Sequence, residues 1–434
     1  MTVISGFSKL DRRQRIKFLA EHSKMQASDC FRIYDFDAPE EQQGVFEQMI
    51  ENYIGNFPIP MGLVTNMVLN GESLTVPYVT EESSVVAAAS KASKFWASRG
   101  GFTAVVTSMT KKGQVHFTWN GNQKIITELF PEIRKKLIQA TDVITEKMRK
   151  RGGGIKEIQL INKTNDLPYY YHIDVSFETA DAMGANFINS CIETFASVLV
   201  NLPELNTEEN HIEIIMSILS NYTPDCKVNC HVECPVEDLA GWDKKLTGLA
   251  FARKFKHAVD IANLDISRAV TNNKGIFNGI DAVMLASGND CRAVSASAHA
   301  YASRGGSYKG LTSIYLFDNV FRYELELPLA VGTVGGITRI HPMVKKAMAM
   351  MNFPDAKKLM MIAAASGLAN NFSAIASLVT TGIQAGHMRM HLTNVLSQLN
   401  ASQVERETVI HHFMDRAVSY AAVEKLIMEI RNNR

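Results

Sequence analysis

The chain has 434 residues, 46% of them hydrophobic, enough for two or three domains with substantial cores. Its 45 Lys and Arg against 44 Asp and Glu leave a formal charge of +1, which argues against a general nucleic-acid binder or a polybasic membrane-surface protein but leaves room for a local anion pocket. The most apolar window, Leu359 to Ala369, is interrupted by Ser366 and Gly367 and falls short of the ~20 residues of a spanning helix.

The N-terminus runs into Lys9, Asp11, Arg12, Arg13 and Arg15 without the apolar core of a signal peptide, and six cysteines fit a reducing cytoplasm. The first hundred residues read as helical. The best-marked helix follows Tyr78-Val79-Thr80-Glu81-Glu82: Val85, Val86, Ala89, Ala92, Phe95 and Trp96 recur at helical spacing up to Gly100-Gly101, and Thr80 is its expected N-cap. Next come a strand near Thr103 to Ser108, a hairpin arm at Gln114 to Trp119 and one amphipathic helix from about Gln123 to Lys150.

Two strands follow, Ile155 to Ile161 and Tyr169 to Phe177, then a helix from about Asp181 to Leu199 and a strand of alternating cysteines. The order β-α-β-β-α-β matches the ferredoxin-like split motif. The expected fold is therefore α+β, with a small domain at 109–217 inserted into a larger, mostly helical one at 1–108 and 218–376. A tandem Rossmann pair fits less well, because no strand leads into Gly-x-Gly-x-x-Gly. From about Asp355 onward the chain again reads as helices.

Cys226, Cys230 and Cys234 invite a metal reading, with His231 between them. They share one parity with Val228, Val232 and Val236, however, while Lys227, Asn229, His231 and Glu233 share the other. Strand alternation makes the cysteines small apolar residues on a buried face, and no metal site is expected.

The chemistry concentrates in Asn273-Lys274-Gly275-Ile276-Phe277-Asn278-Gly279-Ile280-Asp281 and Gly288-Asn289-Asp290. Lys274 stands among glycine and apolar residues, where partial burial would sharpen its charge; the plain alternative is a lysine capping a turn. Glu82, at a helix start, also reads as a dipole partner, and Asp290 as a cap before a helix of Arg292 to Ala302. His387 and His391 have i, i+4 spacing, but Met388 replaces the glutamate of the zincin motif, which speaks against metalloprotease chemistry.

Taken together, Glu51-Asn52-Tyr53-Ile54-Gly55, Pro77 to Glu82, Asp181-Ala182-Met183-Gly184-Ala185-Asn186, Asn273 to Asp281, Gly288 to Asp290 and Gly386-His387-Met388 resemble the soluble class II of 3-hydroxy-3-methylglutaryl-coenzyme A reductase, over essentially the whole chain. The resemblance implies reduction of the thioester to mevalonate and free coenzyme A (CoA) by two hydrides from NADPH or NADH. It implies catalytic roles for Glu82 as proton donor, Lys274 as the cation facing the oxyanion, Asp290, and His387 as the acid for departing CoA thiolate. On the same ground Glu82, Lys274 and Asp290 are expected to titrate as a coupled group.

The resemblance further assigns the acyl group to Arg268, Ser84 and Asn278, a CoA phosphate to Arg15 within a loose alignment of Arg12, Arg13 and Arg15, and the dinucleotide to the loop of Asp181, Met183, Gly184 and Asn186. Lys156 and Glu157 lie side by side after a triple glycine, and either can face the ribose, so NADH and NADPH both stay open. Glu51 to Gly55 resembles a dimerisation motif of a family whose active site is built from two subunits, and 377–434 resembles a mobile C-terminal flap. A cytoplasmic homodimer or higher oligomer of dimers is expected, with no nucleic-acid or membrane partner. The rivals are a noncatalytic CoA-thioester binder and a non-redox thioester enzyme such as a hydrolase, for which no Gly-x-Ser-x-Gly elbow is present.

Overall fold

A computed structural model describes residues 9–15, 17, 40–243, 245–380, 382, 392, 395–413, 416 and 418–432. His387 and His391 lie outside the described residues. The architecture is mixed α+β.

A short helix, α1 (Glu40–Glu47), precedes a hairpin of β1 (Met61–Leu69) and β2 (Glu72–Val79). This hairpin corrects the helical reading of the first hundred residues. Its turn, Asn70 at φ 50 and Gly71 at φ +83, has the two left-handed residues that suit the twist of a two-residue hairpin. Helix α2 (Ser83–Ala97) starts later than expected: Glu82 is its N-cap residue, and Thr80 instead accepts the Glu82 N–H at 3.2 Å.

One strand, β3 (Thr103–Trp119), replaces the expected strand and separate hairpin arm. The expected single long helix is two, α3 (Gln123–Ala140) and α4 (Asp142–Arg149). They break at buried Thr141, whose hydroxyl bonds back to Leu137 O at 3.1 Å. Then come β4 (Gly154–Asn162), β5 (Tyr170–Glu178), α5 (Ala185–Val200), β6 (Ile212–Ser220) and β7 (Cys226–Pro235). The far half of β3 belongs to an antiparallel sheet ordered β4-β5-β3-β6, and its near half pairs with β7.

The strand that closes the β-α-β-β-α-β set is thus β6, not the cysteine strand. Its sequence, IEIIMSILS, hid it: apolar residues occupy consecutive positions, and Ile215, Met216 and Ile218 are exposed, so no alternation shows. The cysteines do alternate inward as read. Cys226, Cys230 and Cys234 are buried, and burial pushes the Cys226 thiol up to about 11 and that of Cys234 to about 12.

The rest of the chain folds around the near half of β3. Helices α6 (Gly248–Leu264), α7 (Ile266–Ala286) and α8 (Cys291–Ala302) precede a second hairpin, β8 (Thr312–Phe317) and β9 (Val320–Pro328), which extends the sheet from β7. After α9 (Ile337–Ile340) and α10 (Pro342–Met350), α11 (Ala356–Val379) passes through the interior. By length and composition α11 could span a membrane, contrary to the sequence reading, but 89% of its apolar window is buried inside the protein, so it packs as a core helix.

Helices α7 and α11 touch at glycines. A Cβ on Gly279 would lie 2.2 Å from Ser366 O, and one on Gly367 would lie 2.9 Å from Ile280. Two helical glycines, each costing about 1 kcal/mol in propensity, thereby allow α7 to sit against the core helix and fix where Lys274 emerges. Separate apolar cores form around α11, around the β4-β5-β3-β6 sheet, and in the C-terminal segment of α12 (Gln403–His412) and α13 (Tyr420–Asn432).

Candidate active site

Lys274 projects from the middle of α7, and its Nζ lies 2.6 Å from Glu82 Oε2 at the start of α2. The Ser84 hydroxyl donates to the other Glu82 oxygen at 3.2 Å. The side chain of Lys274 is 60% exposed, so the partial burial expected from its apolar neighbours is absent in the single chain. Those neighbours face the other way: Ile276 and Phe277 are buried, while Lys274 stays on the outer side of the helix.

Asn278, one turn on from Lys274, shares its face of α7. Arg268 sits half-buried in the first turn, where burial lowers the pKa of its guanidinium and Tyr323 opposes that shift. Among the described residues its side chain has no hydrogen-bond or ion-pair partner, which suits a group waiting for a carboxylate. Arg15 is held differently: its Nη1 donates to Tyr53 O at 3.0 Å, inside the Glu51 to Gly55 segment.

Asp290 is the N-cap of α8, accepting the N–H groups of Arg292 and Ala293 at 3.0 and 3.1 Å. It lines a cleft of about 550 Å³ together with Met183, Gly184 and Asn186. One wall of this cleft is the loop before α5. There Gly184 takes φ +89, and a Cβ on it would meet Thr179 at 2.4 Å. Among the described residues no side chain caps α5, and its first residues, Ala185 to Phe187, line the cleft. Asp181 anchors the loop from behind: its carboxylate accepts Ala356 N–H at 3.0 Å, and its carbonyl accepts Thr333 N–H.

Lys156 and Glu157 line a smaller cleft of about 200 Å³ with Arg134, Arg149 and Gly154. Gly154 pairs with Glu178, so this cleft lies at the end of β4 and β5 that leads into the Thr179–Gly184 loop. The structure therefore joins Glu82, Ser84 and Lys274 in one cluster, and Asp290 with the loop in another. Among the described residues no bond links Asp290 to Lys274.

The sequence profile of the hydroxymethylglutaryl-coenzyme A reductase family matches residues 11–392. The chain belongs to this family. As a hydroxymethylglutaryl-CoA reductase it is an NAD(P)H-dependent oxidoreductase of the mevalonate pathway. It is similar to the reductase of Archaeoglobus fulgidus, at 33% identity over 94% of this chain and 89% of the relative. A probable reductase of Borreliella burgdorferi is 31% identical over 93% and 89%. Among solved structures, a Streptococcus pneumoniae reductase superposes with a TM-score of 0.72 at 32% identity, covering all of both chains. A class II reductase from the same organism, bound to NADPH in open conformations, gives 0.71 at 34% identity over 87% of this chain and all of the other.

Two residues of this reductase were given no role in the sequence reading. Asp281, seven residues after Lys274 and on the same face of α7, accepts the Ser295 hydroxyl at 3.3 Å. Burial, with the charge of Glu81 adding to it, pushes its carboxyl up to about 6. The signal was the i, i+7 spacing from Lys274. Asn371 on α11 accepts the Tyr323 hydroxyl and donates to Asn272 O at 2.8 Å, two residues before Lys274. Nothing in the sequence marked it, since Asn370-Asn371 sits amid apolar residues that read only as core.

Proposed function

We propose that the Lys274–Glu82 cluster and the Asp290 cleft are two parts of one site that reduces the thioester of hydroxymethylglutaryl-CoA in two steps to mevalonate, releasing CoA as the thiol. The contact that carries this reading is the one between Lys274 Nζ and Glu82 Oε2, at 2.6 Å. It places a cation beside a carboxyl group able to relay a proton, the pairing that a carbonyl needs as it becomes an alkoxide.

Lys274 stabilises the oxyanion at each reduction, and Glu82 delivers the proton that turns the final alkoxide into alcohol. Arg268 holds the terminal carboxylate of the acyl group by a two-point contact, while Ser84 and Asn278 orient the acyl chain. His387 protonates the departing CoA thiolate, which prevents its return to the aldehyde. Arg15 faces a CoA phosphate.

NADPH or NADH supplies the hydride when bound. The residues fit that group: Gly184 lets the loop close on Thr179, the N–H groups at the start of α5 suit a diphosphate, and Met183 and Asn186 share the cleft with Asp290. Lys156 and Glu157, at the same end of the β4–β5 pair, face the ribose. On this reading the β4-β5-β3-β6 unit is an inserted ferredoxin-like dinucleotide-binding domain, from 109 to Ser220 where β6 ends, and 377–434 is a flap that closes over the site.

A cytoplasmic homodimer completes the site, one copy setting its Asp290 cleft against the Lys274–Glu82 pair of the other. Exposed Lys274 supports this, as do Phe57, 90% exposed, and the neighbouring Ile59, beside the Glu51 to Gly55 segment. The test is the near-ultraviolet absorbance of NADPH and NADH, measured separately, on addition of hydroxymethylglutaryl-CoA. A fall with at least one of them is expected; thiol release at constant absorbance would mark a hydrolase instead.

A further inference from the structure

Lys111 stands on β3 and is only 3% exposed. Its ammonium donates to Thr179 Oγ1 at 2.6 Å and to Ala182 O at 2.7 Å, and the Thr179 hydroxyl also donates to Ala182 O, at 2.7 Å. The three atoms form a triangle inside the Thr179–Gly184 loop. Both acceptors are neutral, and no carboxylate among the described residues pairs with the ammonium. Burial makes a charge costly, and the carboxylates of Glu178 and Asp181 act on this one only at a distance, so the ammonium can still gain from a further anion.

Its position shows what would offset that cost. Met183 and Ala185 border a small cleft that Lys111 also lines, and they border the Asp290 cleft as well. The ammonium bonds the carbonyl of Ala182, a residue that itself lines the cleft. The N-terminus of α5 presents its partial positive charge at the same place. Burial lowers the pKa of Lys111, while Cys226, Glu178 and Asp181 pull it back up.

We propose that Lys111 is the internal counter-charge for the diphosphate of the nicotinamide dinucleotide, a positioning residue that acts through the loop its ammonium holds. The proposal rests on reading Asp181 to Asn186 as the dinucleotide loop. Its charge strengthens the anion site in a medium where fields are weakly screened, and its two hydrogen bonds fix Ala182 so that Met183 and Gly184 face the cleft.

The experiment is binding of NADPH, or of NADH if that is the nucleotide the protein oxidises, to the full-length chain at low and high salt, for the unmutated protein, Lys111→Met and Lys111→Gln. Glutamine retains two N–H donors for Thr179 and Ala182 but carries no charge. Lys111→Gln is expected to bind NADPH about tenfold more weakly at low and at high salt alike, because salt screens a buried charge little, and Lys111→Met, which also loses both hydrogen bonds, at least as weakly. The KM for hydroxymethylglutaryl-CoA, and kcat at saturating NADPH, should stay as they were. If Lys111→Gln binds NADPH within about twofold of the unmutated protein, the hydrogen bonds alone matter and the proposal is overturned. If the unmutated protein binds neither NADPH nor NADH, both the proposal and the loop reading beneath it are overturned. Should neither variant fold, the unmutated chain decides: inorganic pyrophosphate must raise its melting temperature at low salt and keep part of that effect at high salt, and a response that is absent or abolished by salt overturns the proposal.

Discussion

Glu82 and Lys274 are 192 residues apart in sequence, yet Glu82 Oε2 lies 2.6 Å from Lys274 Nζ. The pair is well exposed, so it adds at most about 1 kcal/mol to stability, and its placement serves chemistry instead. Lys274→Met and Glu82→Gln should each lower kcat by about 10²- to 10³-fold while shifting the melting temperature little. Large destabilisation of either variant would show that the contact is structural.

If one copy supplies Asp290 and the other Lys274, then Lys274→Met and Asp290→Asn should complement each other. Each variant alone is expected to be inactive. Co-expressed, they form mixed dimers in which one of two sites is intact, restoring roughly a quarter of the unmutated activity. Inactivity of the co-expressed mixture would place both residues in the same chain's site.

The half-buried Arg268, without a partner among the described residues, predicts a binding defect. Arg268→Lys keeps the charge but loses the two-point contact, so kcat/KM for hydroxymethylglutaryl-CoA should fall by about 2 kcal/mol, mostly through KM, with NADPH affinity unchanged. An unchanged KM would remove Arg268 from the carboxylate site.

Much of this was readable in the sequence, and the failures have physical causes. The cysteine strand was legible because β7 is buried on one face and polar on the other, whereas β6 lacks that contrast and was missed. The β1–β2 hairpin did carry a signal, Asn70-Gly71 between apolar runs, but the helical pattern after Glu82 outweighed it. The residues Glu82 and Lys274 were legible as motifs. Their contact was not, since it depends on α7 packing against α11 through Gly279 and Gly367. Lys111 fell between the two strands read from the sequence and drew no notice there; only the fold shows that it is buried while Lys112 pairs with Asp174.

Asp281 predicts a pH effect on stability. Its carboxyl is raised from 3.8 to about 6 in the folded chain, so the fold favours the neutral form. That contribution is fully present below the unfolded value and is lost as pH rises through about 6, above which a charge is held in a half-buried place. Asp281→Asn should therefore be more stable than the unmutated protein near pH 8, by about 1 kcal/mol after allowing for partial exposure, and no more stable near pH 4. Denaturant melts at both values check this, and a variant that is weaker near pH 8 would contradict it.

The most direct measurement counts reduced nicotinamide consumed against CoA thiol released from hydroxymethylglutaryl-CoA. The account predicts two nicotinamides oxidised for each thiol in the unmutated chain, and almost none of either product from Lys274→Met. Thiol appearing without nicotinamide oxidation, or Lys274→Met turning over at the unmutated rate, would contradict it.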